Sequence, residues 1–447
     1  MQVTFPLFSS SNEEINKTYE YRCESYNKHV KETPDGYVVT EFAKPVPWAG
    51  KYNTIRCAAM HHVREGRWLH ESKVISDYLR FWCREDVTPS SFTSSYSFAL
   101  ADMFMDYVKV VGDSSIVADE MDELIRVHRS WDIRVNNGLY RQTCGYDGME
   151  FSISGDGYRP TINSYMYADK LALSEFSKYL GKTKSAEEYL READLLRKRI
   201  NELLWNEANE MYGVVSDDGI MQSVKEQIGY IPWIYGIPKK GSGRCFRYLL
   251  DPECFLGRFG LRTADASHPE YMRCFDHECL WNGPVWPFAT SQTLSAVINY
   301  LQTEDDTEIT SEDFMQLLSC YAASHRDEDG SPYVDENLHP ETGVWLAREI
   351  MRESNSQGKD RGAYYNHSTF VDLVITGLCG IRPSSGTSLT VDPLGLSLDE
   401  FSLSDVFYHG RRISVIWDKK TGLSVAVDGE EKAFCDPSNR IKLVIDL

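Results

Sequence analysis

The sequence predicts an all-α protein, an inner ring of helices wrapped by an outer ring, followed by a small β-rich appendage. Three observations predict it. Apolar residues recur at three- and four-residue steps over most of the first 380 or so positions, the spacing of a helix face. Uncharged helical stretches alternate with stretches that are polar on one face, so the first kind is buried all round and the second half covered. After Pro383 the pattern switches to β-branched alternation broken by turn residues. Residues 1–383 are therefore assigned to the helical body and 384–447 to the appendage.

The elements follow in order. Helices are expected over 11–31, 53–63, 68–84, 95–112 and 114–130. A helix from Pro160 to Gly181 has proline in its first turn and glycine just past its end. The next, 185–205, shows the clearest stripe, through Ala186, Tyr189, Leu190, Ala193, Leu196, Ile200, Leu203 and Leu204. Ser185 and Glu188 are expected to form a capping box at its start. The short link predicts an antiparallel hairpin between the two. Further helices are expected over 284–302, 311–324 and 363–379, and residues 284–301 carry no charge at all. In the appendage, 413–417, 423–427 and 441–445 read as strands, with turns at Lys420–Thr421–Gly422 and Asp428–Gly429. A parallel α/β fold would need buried strands between the helices, and few candidates exist. Neither a Walker nor a Rossmann glycine pattern is present.

Composition narrows the function. The 447 residues exceed one ordinary compact domain but suit a large helical body with an appendage. The net charge of −20 repels phosphate backbones and anionic lipid heads, which argues against nucleic-acid and membrane partners and for a neutral substrate. No run of about 18 apolar residues could cross a membrane. Tyr, Phe and Trp make up 12% of the chain, enough for a large core and for a cleft in which rings stack on sugar faces. The eleven cysteines include no CxxC pair; Cys274 and Cys279 stand closest but lack a matching His/Cys set. No metal or cofactor is expected. Scattered thiols, with an N-terminus that lacks a signal-peptide pattern, point to the cytoplasm.

Three loop segments concentrate glycine, aromatic and acidic residues: 138–170, 277–288 and 331–345. Glycoside cleavage needs such carboxyls: one acid to protonate the leaving oxygen, and a second carboxylate to activate water or attack carbon. The segments contain, in order, Gly145-Tyr146-Asp147, then Trp281-Asn282-Gly283-Pro284-Val285-Trp286, then Glu336-Asn337 with Thr342-Gly343.

This order resembles the six-hairpin glycosidases, in particular glycoside hydrolase family 63 with its mannosylglycerate-hydrolase-like and trehalase-like relatives. Residues 203–213 are similar to that family's Trp-and-Tyr hairpin, and the resemblance spans about 40–382. It implies an (α/α)6 barrel of six helical hairpins and an inverting, exo-acting glycoside hydrolase of neutral oligosaccharides. It also implies Asp147 as general acid and Glu336 as general base. The chain departs from the family at the acid. Asp-Ser-Pro-Arg is usual there; here Gly148-Met149-Glu150 follows Asp147, and Arg159-Pro160 comes later. Glu150 is therefore a rival acid and Asp156 a third. The same departure leaves the sugar open, with furanosidase or rhamnosidase activity as open as glucosidase activity.

The acid must be protonated near neutral pH, which needs an apolar setting that Tyr146 and Met149 could supply. The base must stay ionised, about 6.5–9.5 Å away in an inverting enzyme. Sugar contacts are expected from Trp48, Lys51, Trp131 and Asp132 at the mouth. Gln142 and Asn282 are candidates for hydroxyls, and Tyr146, Trp281, Trp286 and Trp345 for stacking, about half of the aromatics being simple packing. His61, His62 and His367 read as structural. A glycoside phosphorylase, a sugar 2-epimerase on the same barrel and a non-catalytic carbohydrate-binding protein are the rival functions.

Overall fold

A computed structural model describes residues 2–89, 96–274, 277–354, 360–438 and 440–447. The helices are α1 (Glu13–His29), α2 (Ala59–Gly66), α3 (Ser72–Cys83), α4 (Leu100–Val111), α5 (Ser115–Ser130) and α6 (Pro160–Tyr179). Then come α7 (Thr183–Leu203), α8 (Ile231–Ile234), α9 (Pro287–Thr303), α10 (Ser311–Ala323), α11 (Leu346–Glu353) and α12 (Phe370–Leu373), which runs on into a π-helical turn, Val374–Leu378.

Local chemistry sets several boundaries. The Asn12 side chain accepts the free N–H groups of Glu14 and Ile15, and the charges of α1 run from Glu13 and Glu14 to Lys28 and His29, matching its dipole. Proline occupies the first turn of α6 as expected. Gly181, at φ +69°, turns the chain directly into α7, so α7 begins at Thr183. Ser185 is consequently inside the helix, and the expected capping box with Glu188 does not form. A capping box does form at Thr310 and Asp313, ahead of α10.

The expected helix over 363–379 starts only at Phe370. Before it, buried side chains take the backbone acceptors that a helix would have used. Arg22 donates to Tyr365 O at 2.6 Å, and the His29 ring bonds to Tyr364 O at 2.9 Å. The helix expected over 53–63 likewise starts at Ala59, after a single turn at Lys51–Asn53.

Packing sorts the helices into two sets. Among the described residues α2, α4, α6, α8, α9 and α12 touch in a closed circuit, each against the next and α12 back against α2. Helices α3, α5, α7, α10 and α1 pack outside it. Burial follows: α4, α6 and α9 are covered nearly all round, whereas α7 buries only Ala186, Tyr189, Ala193, Leu196 and Ile200.

The C-terminal region forms two antiparallel sheets. One has strands Glu400–Tyr408, Arg411–Asp418, Gly422–Val427 and Glu430–Cys435, with Leu7–Ser10 from the N-terminus as its first strand. Leu7 pairs with Ser404 and Ser10 with Phe401. The other joins Ile381–Arg382, Ser388–Val391 and Leu443–Asp446. Asp428 and Gly429, at φ +51° and +84°, make the tight turn expected there. The inward residues Phe401, Leu403, Ile413, Val415, Leu423 and Val425 join the same continuous apolar core as the helices.

Candidate active site

Segments that lead into the helices of the circuit converge on one cavity. Those ahead of α2, α4, α6, α9 and α12 line it, together with Glu336. Its volume is about 270 Å³, and its wall carries Glu41, Glu150, Glu278 and Glu336 among Trp48, Trp286, Phe288 and Tyr365.

The Glu336 loop is fixed from both sides. Asp335 Oδ1 accepts the Glu336 N–H at 2.7 Å, and Asp335 Oδ2 accepts the Tyr333 hydroxyl at 2.7 Å. Asn337 donates to Glu278 O at 2.7 Å. Thr342-Gly343 forms the turn that brings the chain back: Gly343, at φ +75°, bonds to His339 O at 3.0 Å. Arg361 forks onto Glu336, Nε to Oε1 at 2.9 Å and Nη2 to Oε2 at 3.3 Å, and so provides the countercharge of a carboxylate there. Its Nη1 also holds Glu278 Oε1 at 3.1 Å, and its guanidinium lies 4.7 Å from the Trp48 ring centre. A Cβ on Gly362 would stand 1.7 Å from Asp335 Oδ1, so only glycine lets Arg361 reach this position. The Cys279 thiol donates to Glu336 Oε2 at 3.3 Å.

Glu150 lies on the loop ahead of α6 and lines the same cavity. Its backbone carbonyl accepts the Trp281 N–H at 3.0 Å, which ties the acid loop to the tryptophan segment. Burial, the charge of Glu336 and that of Glu278 push its carboxyl up to about 7, against the pull of Arg361. Within the tryptophan segment Trp281 stacks on Trp286 at 4.5 Å between ring centres, and Trp286 donates to Leu280 O at 2.8 Å. Gly283 has φ +147°, and a Cβ there would meet the Tyr271 ring at 2.5 Å.

Asp147 lies elsewhere. Its side chain is fully covered, with Arg159 Nε 2.5 Å from Oδ2 and the Ser97 hydroxyl 2.6 Å from Oδ1. Arg159 also donates to Gly155 O and reaches Ser152 at 3.3 Å, so this ion pair staples the loop from inside. It does not line the cavity. Asp156 is exposed and accepts the Cys144 N–H at 2.9 Å.

The expected sugar contacts divide. Trp48, half exposed, and Trp286 line the cavity. Tyr146 packs edge-on against Tyr96, a cavity residue, at 5.7 Å. Lys51 turns away to Asp35 and Asp86, at 2.7 and 2.9 Å. Asp132 is exposed beside Arg129, 3.8 Å away. Gln142 is buried and bonds to Ser97 at 2.9 Å. Trp131, Trp281 and Trp345 are buried packing, with Arg134 over the Trp131 ring and the Trp345 indole donating to Arg326 O at 2.9 Å. Asn282 is buried and donates to Cys274 O at 3.1 Å. His61 and His62 lie in the core, whereas His367 reaches the cavity wall, where burial keeps it well below the ordinary imidazole range. Sequence reasoning missed Glu41, Glu278, Cys279 and Arg361. The clustering of 277–288 was a signal for Glu278 and Cys279, while Arg361 lies between the third loop segment, 331–345, and the helix expected from 363, in a stretch with no signal of its own.

A family model described as the mannosylglycerate hydrolase MGH1-like glycoside hydrolase domain matches residues 51–368. Among solved structures, one named a sialidase superposes with a TM-score of 0.92 at 35% identity, over 99% of this chain and 41% of its own. A glycoside hydrolase family 78 rhamnosidase of a Bacillus species gives 0.64 at 12% identity, over 94% of this chain and 41% of its own. A family 63 mannosylglycerate hydrolase from Thermus thermophilus, in complex with glucose, gives 0.53 at 12% identity, over 75% of this chain and 99% of its own. The last two are likenesses of fold. The chain spans about two fifths of the length of the first two.

Proposed function

Because the chain belongs to the mannosylglycerate hydrolase MGH1-like glycoside hydrolase family, we propose that it is an inverting glycoside hydrolase on an (α/α)6 barrel, with Glu150 as general acid and Glu336 as general base. The closed circuit of inner helices with a second layer outside supports the barrel. The observation that carries the assignment of roles is that Glu150 and Glu336 share one cavity wall while Asp147 is sealed behind it. The two carboxyls stand in different settings. Glu150 has its proton affinity raised by burial, as a general acid requires. Glu336 has a guanidinium on both oxygens, as suits an anion that holds water on the far face of the sugar.

The substrate is a neutral glycoside. Among the described residues Arg361 is the arginine of the cavity wall, and it is already shared by Glu336 and Glu278, two carboxyls to one guanidinium. A sugar carboxylate or an attacking phosphate would enter against that field, which disfavours both an acidic sugar and phosphorolysis. Ligand pockets run from roughly 300 to 1,000 Å³. At about 270 Å³ this one suits a terminal sugar and exo action. Eleven free thiols support a reducing, cytoplasmic setting.

The test is hydrolysis of a panel of p-nitrophenyl glycosides and short oligosaccharides, neutral and acidic, with and without phosphate, the product anomer being followed by proton NMR. The expected result is cleavage of a neutral member independent of phosphate, inversion at the anomeric carbon, and a fall of kcat/KM as pH rises through about 7. Retention of configuration would contradict the water-activating role of Glu336. Preference for an acidic sugar would contradict the reading of the cavity's charge.

A further inference from the structure

Two carboxyls of the cavity have no part in that pair: Glu278, which Arg361 holds, and Glu41, which no cation holds among the described residues. Glu41 follows the strand Gly36–Val39, and its backbone N–H donates to Asn53 O at 2.7 Å. Its side chain lines the cavity but is only 4% exposed. Oε1 accepts the Trp48 indole N–H at 3.2 Å. Oε2 is buried and has no hydrogen-bond partner among the described residues. Burial pushes the carboxyl up to about 8; Glu336 and Glu150 push the same way, and the Trp48 bond and Arg361 pull against them. Burial thus favours the protonated form of the carboxyl at neutral pH, and among the described residues no group accepts a hydrogen bond from Oε2.

Buried donors without acceptors are uncommon in folded proteins, and such a group is a natural place for a ligand to complete. The terminal torsion of a glutamate is soft, so the protonated oxygen can turn into the cavity without moving the backbone. Trp48, which holds the other oxygen, is half exposed and offers a ring face beside it. The carboxyls of Glu150 and Glu336 have other tasks, and Arg361 is spent on Glu336 and Glu278. Resting on the glycosidase reading above, we propose that Glu41 is a specificity-determining residue whose carboxylic acid donates a hydrogen bond to an oxygen of the sugar seated against Trp48.

Other groups around Glu41 shape the test. The charged ones that act on it are Glu336, Arg361 and Glu150. Glu278 and His277 line the same cavity, and Glu278 is held below its ordinary range chiefly by its backbone hydrogen bond and Arg361. Burial raises Cys57, Cys279, Tyr96 and Tyr365 above their ordinary ranges and keeps His367 well below its own. Glu150, at about 7, titrates close to Glu41, so the comparison belongs in a Glu150→Gln background.

In that background, D-glucose, D-mannose, D-galactose, L-rhamnose and L-arabinose are titrated by calorimetry at pH 6 and pH 9.5. The tightest binder is carried into Glu150→Gln/Glu41→Gln and Glu150→Gln/Glu41→Leu. With Glu41 intact, affinity should drop about tenfold or more at pH 9.5, because the donor is lost as pH rises through about 8. Glu41→Gln keeps an N–H donor at every pH and should hold affinity within about threefold at both. Glu41→Leu should bind about tenfold more weakly at both. Should the leucine variant fail to fold, the pH contrast between the other two proteins decides. A pH-independent Kd with Glu41 intact, or full affinity in a folded leucine variant, overturns the proposal. So does a Glu41→Gln single variant whose kcat on a hydrolysed p-nitrophenyl glycoside falls a hundredfold with KM unchanged, since Glu41 would then be the proton donor. Where free sugars do not bind, wild type, Glu41→Gln and Glu41→Leu are compared on KM of that glycoside at pH 6 alone, below both carboxyls, with KM expected to rise about tenfold in the leucine variant and to stay within about threefold in the glutamine variant. If the wild type neither binds a sugar nor hydrolyses any glycoside, the glycosidase reading itself fails. If it hydrolyses one and Glu41 has no effect on Kd or KM, only this inference fails.

Discussion

At the scale of single residues, two acids three positions apart have opposite fates. Asp147 and Arg159 are both fully covered, and each satisfies the other's charge. Removing one member of such a pair strands the other without water, at a cost of about 3–5 kcal/mol. Asp147→Asn should therefore lower the unfolding free energy by about that much in a denaturant titration. Glu150→Gln, at the cavity wall, should leave it within about 1 kcal/mol. A stable Asp147→Asn protein would show that the staple is dispensable. The sequence offered three carboxyls in residues 145–156, Asp147, Glu150 and Asp156, but which of them faces the cavity was not legible. The choice depends on Arg159, the residue just ahead of α6, whose side chain folds back to Asp147. Spacing along the chain does not reveal that return. The place of Glu336 at the cavity was legible because its Thr-Gly turn and its neighbour Asn337 are local features. Its partner Arg361 was not, because it lies before the helix expected over 363–379, 25 residues beyond Glu336, and reaches that carboxyl only through the fold.

At the scale of elements, the outer helices were legible from their stripes and the inner ones from their lack of charge; α7 and α9 are the plain cases. Short elements gave no such signal. Helix α8 has four residues, and the strand Leu7–Ser10 has four, half of them exposed or nearly so. That strand nevertheless closes the edge of the C-terminal sheet, and nearby Val3 and Phe5 are buried in the common core. Deleting residues 1–11 should uncover the Phe401–Ser404 edge and remove both side chains, each worth about 1.5–3 kcal/mol. An open strand edge also invites pairing between molecules. The expected outcome is a lower Tm, with light scattering that grows with protein concentration. An unchanged Tm would mean that the sheet is complete without its N-terminal strand.

At the scale of the whole molecule, the interior holds groups whose charge folding suppresses. Burial raises Glu41 and Glu65 to about 8, Glu150 to about 7 and Asp335 to about 6. These carboxyls bind protons more tightly when folded. Their contribution to stability is full below the unfolded carboxylate range and is lost as pH rises through 6 to 8. Burial lowers His29 to about 4 and His61 and His325 to about 3. The histidine contribution is full above the unfolded imidazole value and is lost as pH falls through 4 to 3. Between about pH 5 and 6.5 the two slopes oppose each other. Tm measured from pH 3.5 to 8.5 should pass through a broad maximum there and fall on both sides. A Tm that climbs steadily to pH 8.5 would mean that the carboxyls lining the cavity are ionised in the folded protein.

That protonated Glu150 is also the centre of the functional account, and single substitutions measured on one hydrolysed glycoside test it most directly. Glu150→Gln and Glu336→Gln should each lower kcat by about 10²–10⁴-fold, the usual range for removing a general acid or base. The Glu150→Gln loss should shrink for aryl glycosides whose leaving group needs no proton, while Glu336→Gln stays impaired on every substrate. Asp147→Asn, assayed at a temperature where it is folded, should keep kcat within about tenfold of wild type, as an unstapled loop would. Full activity in Glu150→Gln, together with an Asp147→Asn loss that tracks leaving-group basicity, would return the acid to Asp147 and contradict the account.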